Sequence, residues 1–392
     1  MSLAFHQPPR LPSGFRCASR NIGLKPSAKD LALFVSDVDA ASAAVFTRNH
    51  FPGAPIILGR ESMRENGGVL RAIVANSKCS NVATGAAGVE NARRMARAAA
   101  TEVGTAVQHV LVSSTGVIGV PLPIEKIERG IQGMAADLQV DPLVGAEGIM
   151  TTDTYAKALS ASVGPATITW IAKGSGMIEP NMATMLAYIF TDAAIPTAAL
   201  DAMLRRVVAQ SFNMLSVDGD TSTSDTCVLM ANGRAGAIEG VAFEQVLLAG
   251  SIKMTELLAR DGEGAEHLLR ATVREAASDT EARRIAKSLV NSPLIKTMVH
   301  GADPNVGRIL MAVGKCFDCT IDPARTQAWI NGHQVVRDGA RVSFEDAVVR
   351  AALATETVDI EVALGVGTAH ATAYGCDLTK GYIDENAAYY SS

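Results

Sequence analysis

The chain reads as an α/β (α+β) protein, a layered sandwich of β-sheets between helices, with a smaller α+β domain at its C-terminal end. Three observations predict this. Short runs rich in β-branched residues alternate with segments whose apolar residues recur at the helical period. The alternation is irregular, which disfavours a doubly wound parallel sheet. And 392 residues with 48% hydrophobic and 19% charged side chains are enough for two or three domains around a large core.

In chain order, strands are predicted at Leu31–Ser36, Ala43–Thr47, Ala72–Ala75, Val110–Ser113, Ala166–Ile171, Thr226–Met230, Arg308–Val313 and Val358–Ala363. Helices are predicted at Val89–Val103, Leu200–Phe212, Phe243–Ala259, Asp279–Ala286 and Phe344–Leu353, the last with Ser343 as its start signal. The polar stretch Ala277–Arg284 reads as a hinge, dividing a main domain 1–285 from a C-terminal domain 286–392. There is no internal repeat and no low-complexity tract.

Composition excludes several classes. With 34 Gly and 15 Pro the chain is neither collagen-like nor linker-dominated. The net charge of −5 disfavours a basic face for a nucleic acid, though it leaves room for a local patch. No apolar run reaches the ~18–20 residues of a membrane helix. Six scattered cysteines suit a reducing compartment, and Cys316-Phe-Asp-Cys319 lacks the second pair or nearby His of a zinc site. Asp218-Gly-Asp220 with Asp225 lacks the closing Glu of a calcium loop, so neither a metal nor a cofactor is expected. The seven histidines form no His-x-x-x-His pair, no Gly-x-Ser-x-Gly elbow is present, and His300 reads as structural.

The most unusual stretch is Lys173-Gly-Ser-Gly-Met-Ile-Glu-Pro-Asn-Met-Ala-Thr184-Met-Leu. A β-branched strand runs into two glycines and a proline, then resumes an apolar strand that begins at Thr184. Taken alone this is a glycine-rich turn entering a core strand. It is also a place for a strained peptide bond that the hydroxyl of its own Thr could attack, moving the acyl group from nitrogen to oxygen. Hydrolysis of that ester would free Thr184 as a new N-terminus, with an α-amine beside its hydroxyl to act as base.

This segment resembles the self-cleaving segment of the ornithine acetyltransferase (glutamate N-acetyltransferase) family. The likeness continues through Pro12-Ser-Gly-Phe15, Gly23-Leu-Lys25, Val45-Phe-Thr-Arg-Asn49, Ser114-Thr115-Gly116-Val-Ile-Gly119, Met150-Thr-Thr-Asp-Thr154, Asp261-Gly-Glu-Gly264, Val290-Asn-Ser-Pro293 and Tyr374-Gly-Cys-Asp-Leu-Thr379. It implies an Ntn-hydrolase-like fold, cleavage between Ala183 and Thr184 into fragments 1–183 and 184–392, and an α2β2 assembly of the two. By the same resemblance Thr184 is the nucleophile, and Thr115 and Gly116 form the oxyanion hole. Substrate contacts would come from Thr151 or its neighbour Thr152, and from Lys173, Thr184, Glu263, Asn386 and Ser391. A lysine suits a substrate carboxylate, and an acid suits the amine of an ornithine-like ligand. The likeness begins by Pro12, which leaves little room for a presequence and makes the cytoplasm the expected location.

The implied reaction is a ping-pong transfer of acetyl from N2-acetylornithine to glutamate through acetyl-Thr184, with acetyl-CoA left open as a donor. Four positions depart from the family pattern. Lys78 and Cys79 stand where Gly and Asn are common, Val306 where Trp is usual, and Ser224 where many members have Asn; a Ser there is found in relatives of specialised metabolism. Lys78 bears on which donor or acceptor fits. The alternatives are a specialised-metabolism paralogue, an amidase or aminopeptidase of the same self-processing architecture, and a binding protein that kept the fold without the chemistry.

Overall fold

The computed structural model describes residues 3–179 and 185–387; Ala183, Thr184 and Ser391 therefore lie outside the described residues. The chain divides into two compact units, 1–174 with 180–213 and 221–254, and 175–179 with 214–220 and 255–392.

In the first unit, β1 (Phe15–Arg20) and β2 (Leu31–Phe46) are followed by α1 (Ala54–Glu65), β3 (Val69–Asn76), α2 (Gly85–Val103) and β4 (Val110–Ser114). Then come α3 (Ile124–Ile131), α4 (Pro142–Ile149), β5 (Lys157–Val163), β6 (Ala166–Lys173), β7 (Leu186–Ala194), α5 (Thr197–Gln210), β8 (Thr226–Ala237) and α6 (Gly240–Arg260), whose last turns belong to the second unit. The strands form one mixed sheet in the order β4-β3-β2-β8-β7-β6-β5, with β1 also paired to β2.

The two expected strands Leu31–Ser36 and Ala43–Thr47 are halves of β2. Its register shifts between Val35 and Ala40, where the exposed Val38 and Asp39 interrupt the pattern. The period-2 alternation of β2 sends Leu31, Leu33 and Val35 into a core with Ala92, Met95, Ala96 and Ala99 of α2. Ala32 and Phe34 enter a second core with Tyr188, Phe190, Val228 and Ala146. Helices thus cover both faces, the layered arrangement the sequence predicts.

The second unit continues with β9 (Leu268–Ala276), α7 (Asp279–Val290), α8 (Pro293–His300), α9 (Val306–Gly314), β10 (Gln327–Ile330), β11 (His333–Arg337) and β12 (Ala340–Arg341). It ends with α10 (Asp346–Leu353), β13 (Thr357–Ala363), β14 (Ala369–Cys376) and α11 (Lys380–Asn386). Its sheet runs β12-β11-β10-β13-β9-β14, with α7 packed on β9 and β14.

Three sequence expectations change here. Arg308–Val313 is helical, within α9. Its buried residues Val306, Ile309, Ala312 and Val313 recur at three- and four-residue spacing, a helical period that a continuous apolar run hides. The stretch Ala277–Arg284 leads into α7, capped by the Ser278 side chain on Glu281 N–H, and the 285/286 boundary falls inside that helix. Helix α10 begins at Asp346 instead of Phe344, with Glu345 at its N-cap in extended backbone; Phe344 lies ahead of the first turn, its ring centroid 4.4 Å from the Arg341 guanidinium. No described helix is long and apolar enough to cross a membrane.

Candidate active site

Strands β3 and β4 are parallel neighbours, and the loops leaving their C-terminal ends interlock. Asn76 ends β3. Its Nδ2 donates to the Cys79 carbonyl at 2.8 Å, its Oδ1 accepts from Ser114 Oγ at 2.7 Å, and its carbonyl accepts from Thr115 N–H at 3.0 Å. Val117 N–H donates to the Lys78 carbonyl at 3.0 Å. Gly116, at φ +122°, lies so close to the Lys78 backbone that a Cβ would stand 2.3 Å from its carbonyl carbon. No larger residue fits there without moving the loop. The Gly116 N–H makes no hydrogen bond to any described residue, which leaves it available as a donor.

Lys173 ends β6, where its backbone pairs with Leu186 at the start of β7. Its side chain is only 8% exposed. Nζ donates to Thr151 Oγ1 at 2.6 Å and to Thr115 Oγ1 at 3.5 Å. An ammonium only donates, so both hydroxyls accept from it and keep their own hydrogens free to point elsewhere. Of the two candidate threonines, Thr151 is held by Lys173, and Thr152 is half-buried beside it.

Beneath them sits an acid that sequence reasoning missed. The buried Asp153 takes Lys157 Nζ at 2.8 Å, Gly174 N–H at 2.7 Å and Thr151 N–H at 2.9 Å, and lies 3.9 Å from Lys173 Nζ. Burial alone would raise its carboxyl, but the charges of Lys173 and Lys157 and these hydrogen bonds more than offset it and hold it at about 2. Its signal was in view, inside the Thr-Thr-Asp-Thr run with a lysine four residues on. Lys25 joins the same neighbourhood. Its Nζ donates to the Met150 carbonyl at 2.7 Å, and burial lowers it to about 8, with the Lys173 and Lys78 charges adding to the shift. In the sequence Lys25 is only part of the Gly23-Leu-Lys25 motif; its nearness to Lys173 is made entirely by folding.

The second unit carries the acidic candidates. Glu263 N–H donates to the Ser175 carbonyl at 2.9 Å, and its carboxylate covers Gly176 so closely that a Cβ would stand 2.2 Å away. Asn386, at the end of α11, donates to Glu263 Oε2 at 2.7 Å. The Thr379 hydroxyl donates to the Gly264 carbonyl at 2.6 Å and accepts from Gly381 N–H, tying α11 to the Asp261-Gly-Glu-Gly264 loop. Asp218 accepts from Met177 N–H and Ile178 N–H at 2.6 and 2.9 Å, which fixes the turn under Glu263, and burial raises its carboxyl. Sequence reading placed Asp218 in a weak calcium pattern; its work here is to hold backbone.

The structure therefore brings Thr115, Gly116, Thr151 and Lys173 together in one unit, and Glu263 with Asn386 in the other. The Lys173–Thr184 motif contributes to both, since Ser175–Glu179 belongs to the second unit. Chemically, the first group offers two oriented hydroxyls and a free N–H beside a fixed cation, a setting for a developing oxyanion or a carboxylate. The second offers a carboxylate for an amine.

The profile of the ArgJ family matches residues 16–391. The arginine biosynthesis bifunctional protein ArgJ of Thermus thermophilus is 44% identical over 383 residues, covering 97% of this chain and 99% of its own. A glutamate N-acetyltransferase of Streptomyces clavuligerus is 42% identical over 390 residues, covering 97% and 98%. Among solved structures, the ArgJ protein of Bacillus halodurans aligns with a TM-score of 0.50 at 35% identity, over 52% of this chain and 98% of that one.

Proposed function

The chain belongs to the ArgJ family, and from that membership we propose that it is a glutamate N-acetyltransferase of arginine biosynthesis that draws its acetyl group from N2-acetylornithine. Thr184 is the nucleophile. Its hydroxyl first attacks the Ala183 carbonyl carbon, and the acyl group passes from the Thr184 nitrogen to its oxygen. Water then cleaves the ester, leaving a carboxylate on Ala183 and a free amine on Thr184.

In turnover that amine takes the hydroxyl proton as Oγ attacks the acetyl carbonyl. Negative charge builds on the carbonyl oxygen, and the Gly116 N–H and the Thr115 hydroxyl receive it, each donor worth about 3–4 kcal/mol in the transition state. Collapse breaks the acetyl–nitrogen bond, the leaving ornithine amine recovers the proton, and the acetyl group stays on Thr184 Oγ. The α-amine of glutamate reverses these steps and leaves as N-acetylglutamate. Lys173 favours the neutral form of the new amine and takes a substrate carboxylate, with Thr151, Thr152 and Ser391 as further contacts. Glu263 and Asn386 receive the side-chain amine of ornithine. The enzyme works in the cytoplasm on small molecules, as two copies of each fragment.

One observation carries this reading. The free Gly116 N–H and the Thr115 hydroxyl, released by Lys173 donating to its oxygen, stand beside the strand pair β6–β7, which is entered at Met185. Denaturing electrophoresis with intact mass spectrometry tests it. Two fragments, 1–183 and 184–392, and ornithine release that requires glutamate are the expected results. Full activity in an uncleaved chain overturns the Thr184 mechanism. Ornithine release indifferent to glutamate makes water the acceptor and the protein an amidase.

A further inference from the structure

A second cluster of reactive side chains lies in the second unit, in a place the proposed transfer does not use. Glu266 and His267 immediately precede β9, His300 ends α8, and Asp377 immediately follows β14. We propose that these four side chains bind one divalent first-row transition ion of the zinc class.

Three donor atoms already sit close together, and His300 approaches two of them. Asp377 Oδ2 is 3.0 Å from His267 Nδ1 and 3.4 Å from His300 Nδ1, and His300 Nδ1 is 3.5 Å from Glu266 Oε2. The ligand atoms of Glu266, His267 and Asp377 all lie within 4.8 Å of one another. A tetrahedral ion with bonds of about 2.0–2.2 Å needs ligand atoms about 3.3–3.6 Å apart, so Glu266, His267 and Asp377 close up around the ion and the part-exposed His300 ring turns to supply the fourth ligand.

The supporting layer is built as well. Asp377 has a fully buried side chain, and its Oδ1 accepts the backbone N–H groups of Glu266 and His267 at 2.9 and 3.0 Å, which turns Oδ2 toward the two imidazoles. Two imidazoles and two carboxylates suit Zn2+, Co2+ or Ni2+ better than Ca2+ or Mg2+, which take oxygen alone. The two carboxylates balance the ion's charge. The exposed edges of Glu266 and His300 leave an entry path from solvent. In the hydrogen-bonded form an Nδ1–H of His267 faces Asp377. Ligation through Nδ1 requires that nitrogen's lone pair, so the proton moves to Nε2 or leaves to solvent as the ion enters.

The ion would also stiffen the loop that carries Glu263. Asp377 lies two residues before Thr379, which caps α11 and bonds the Gly264 carbonyl, while Glu266 and His267 close the loop that carries Glu263. On the function proposed above, occupancy lowers KM for the amine-bearing substrate and leaves kcat unchanged.

The test uses chelator-stripped full chain carrying Cys319→Ser, so that the Cys316–Cys319 pair does not compete. Zn2+ titrated by calorimetry, with metal counted after dialysis, should bind at one ion per chain and raise the melting temperature. His267→Gln and His300→Gln should each weaken binding by at least about tenfold. Co2+ should give the visible absorption of a four-coordinate nitrogen–oxygen site. Failure of Zn2+ to bind stoichiometrically, or binding that survives both His→Gln changes in chains that melt normally without metal, overturns the site. These readouts do not depend on the acetyl-transfer reading; only the KM effect does, and its absence alongside stoichiometric binding would remove that link while leaving the site.

Discussion

Lys173 and Glu263 are the two charged candidates nearest the Gly-Ser-Gly turn, and they are held in different ways. Lys173 is 8% exposed, bonded to two hydroxyls, and backed by a buried carboxylate that a second lysine also grips. Glu263 is half-buried on a loop, and the Asn386 that donates to it is exposed at the end of a seven-residue helix. A buried charge must be compensated when the chain folds, so the geometry of Lys173 is fixed before any substrate arrives. A half-buried charge on a loop costs less to leave adjustable than a fully buried one, so Glu263 can shift when a ligand arrives.

That contrast breaks most sharply at Asp153. Asp153→Asn removes the carboxylate between Lys157 and Lys173 and leaves two buried cations without it, a loss of about 3–5 kcal/mol in folding stability by urea denaturation. Glu263→Gln in the same assay should stay within about 0.5 kcal/mol. Equal losses from the two variants would erase the distinction.

Next in size is Gly116→Ala. The added Cβ meets the Lys78 carbonyl carbon and turns the free N–H away, so kcat should fall by about 10²–10³ while KM changes little. A rate near that of the parent would remove Gly116 from the oxyanion hole.

Acid titration sharpens the comparison further. The Asp153 carboxyl sits at about 2 in the folded chain, below its ordinary value of 3.8. Between those values the unfolded chain binds more protons, so the contribution of Asp153, roughly 2–3 kcal/mol, is fully present above about 4 and is lost as pH falls through about 2. Denaturation midpoints followed from pH 5 downward should show this slope in the parent and lack it in Asp153→Asn.

The smallest effect concerns binding. Glu263→Gln should raise KM for acetylornithine by about tenfold, the worth of one exposed charged contact to an amine, with kcat within about twofold. A fall in kcat with KM unchanged would assign Glu263 to the chemical step instead.

Much of the architecture was legible in the residues. The runs Ala72–Ala75, Val110–Ser113, Ala166–Ile171, Thr226–Met230 and Val358–Ala363 all lie in strands, because β-branched residues packed on both faces leave a dense local signature. Arg308–Val313 failed for the complementary reason. A continuous apolar run has no visible period, and the helix shows only in which of its residues are buried. The short strands β10–β12 carry too few residues for a pattern. Thr115, Gly116, Thr151 and Lys173 are candidates through the resemblance of their motifs, and the structure draws them together. Asp153, Lys25 and Asp218 were seen as sequence but not as chemistry, because each acts through partners brought near by folding.

The order of residues by itself determined which turns must be glycine, which strands are buried, and which family the motif around Thr184 resembles, since those follow from local sterics and patterning. The packing alone decided that Lys173 is compensated by an acid twenty positions earlier. It also decided that His267, His300 and Asp377 converge, although Asp377 is 110 residues from His267. The pairing of β14 against β9 sets Cys376 opposite Leu268, and so brings the next residue of one strand beside the residue before the other. Charge and coordination depend on distances of a few ångströms, and such distances between remote residues exist only once the sheet has closed.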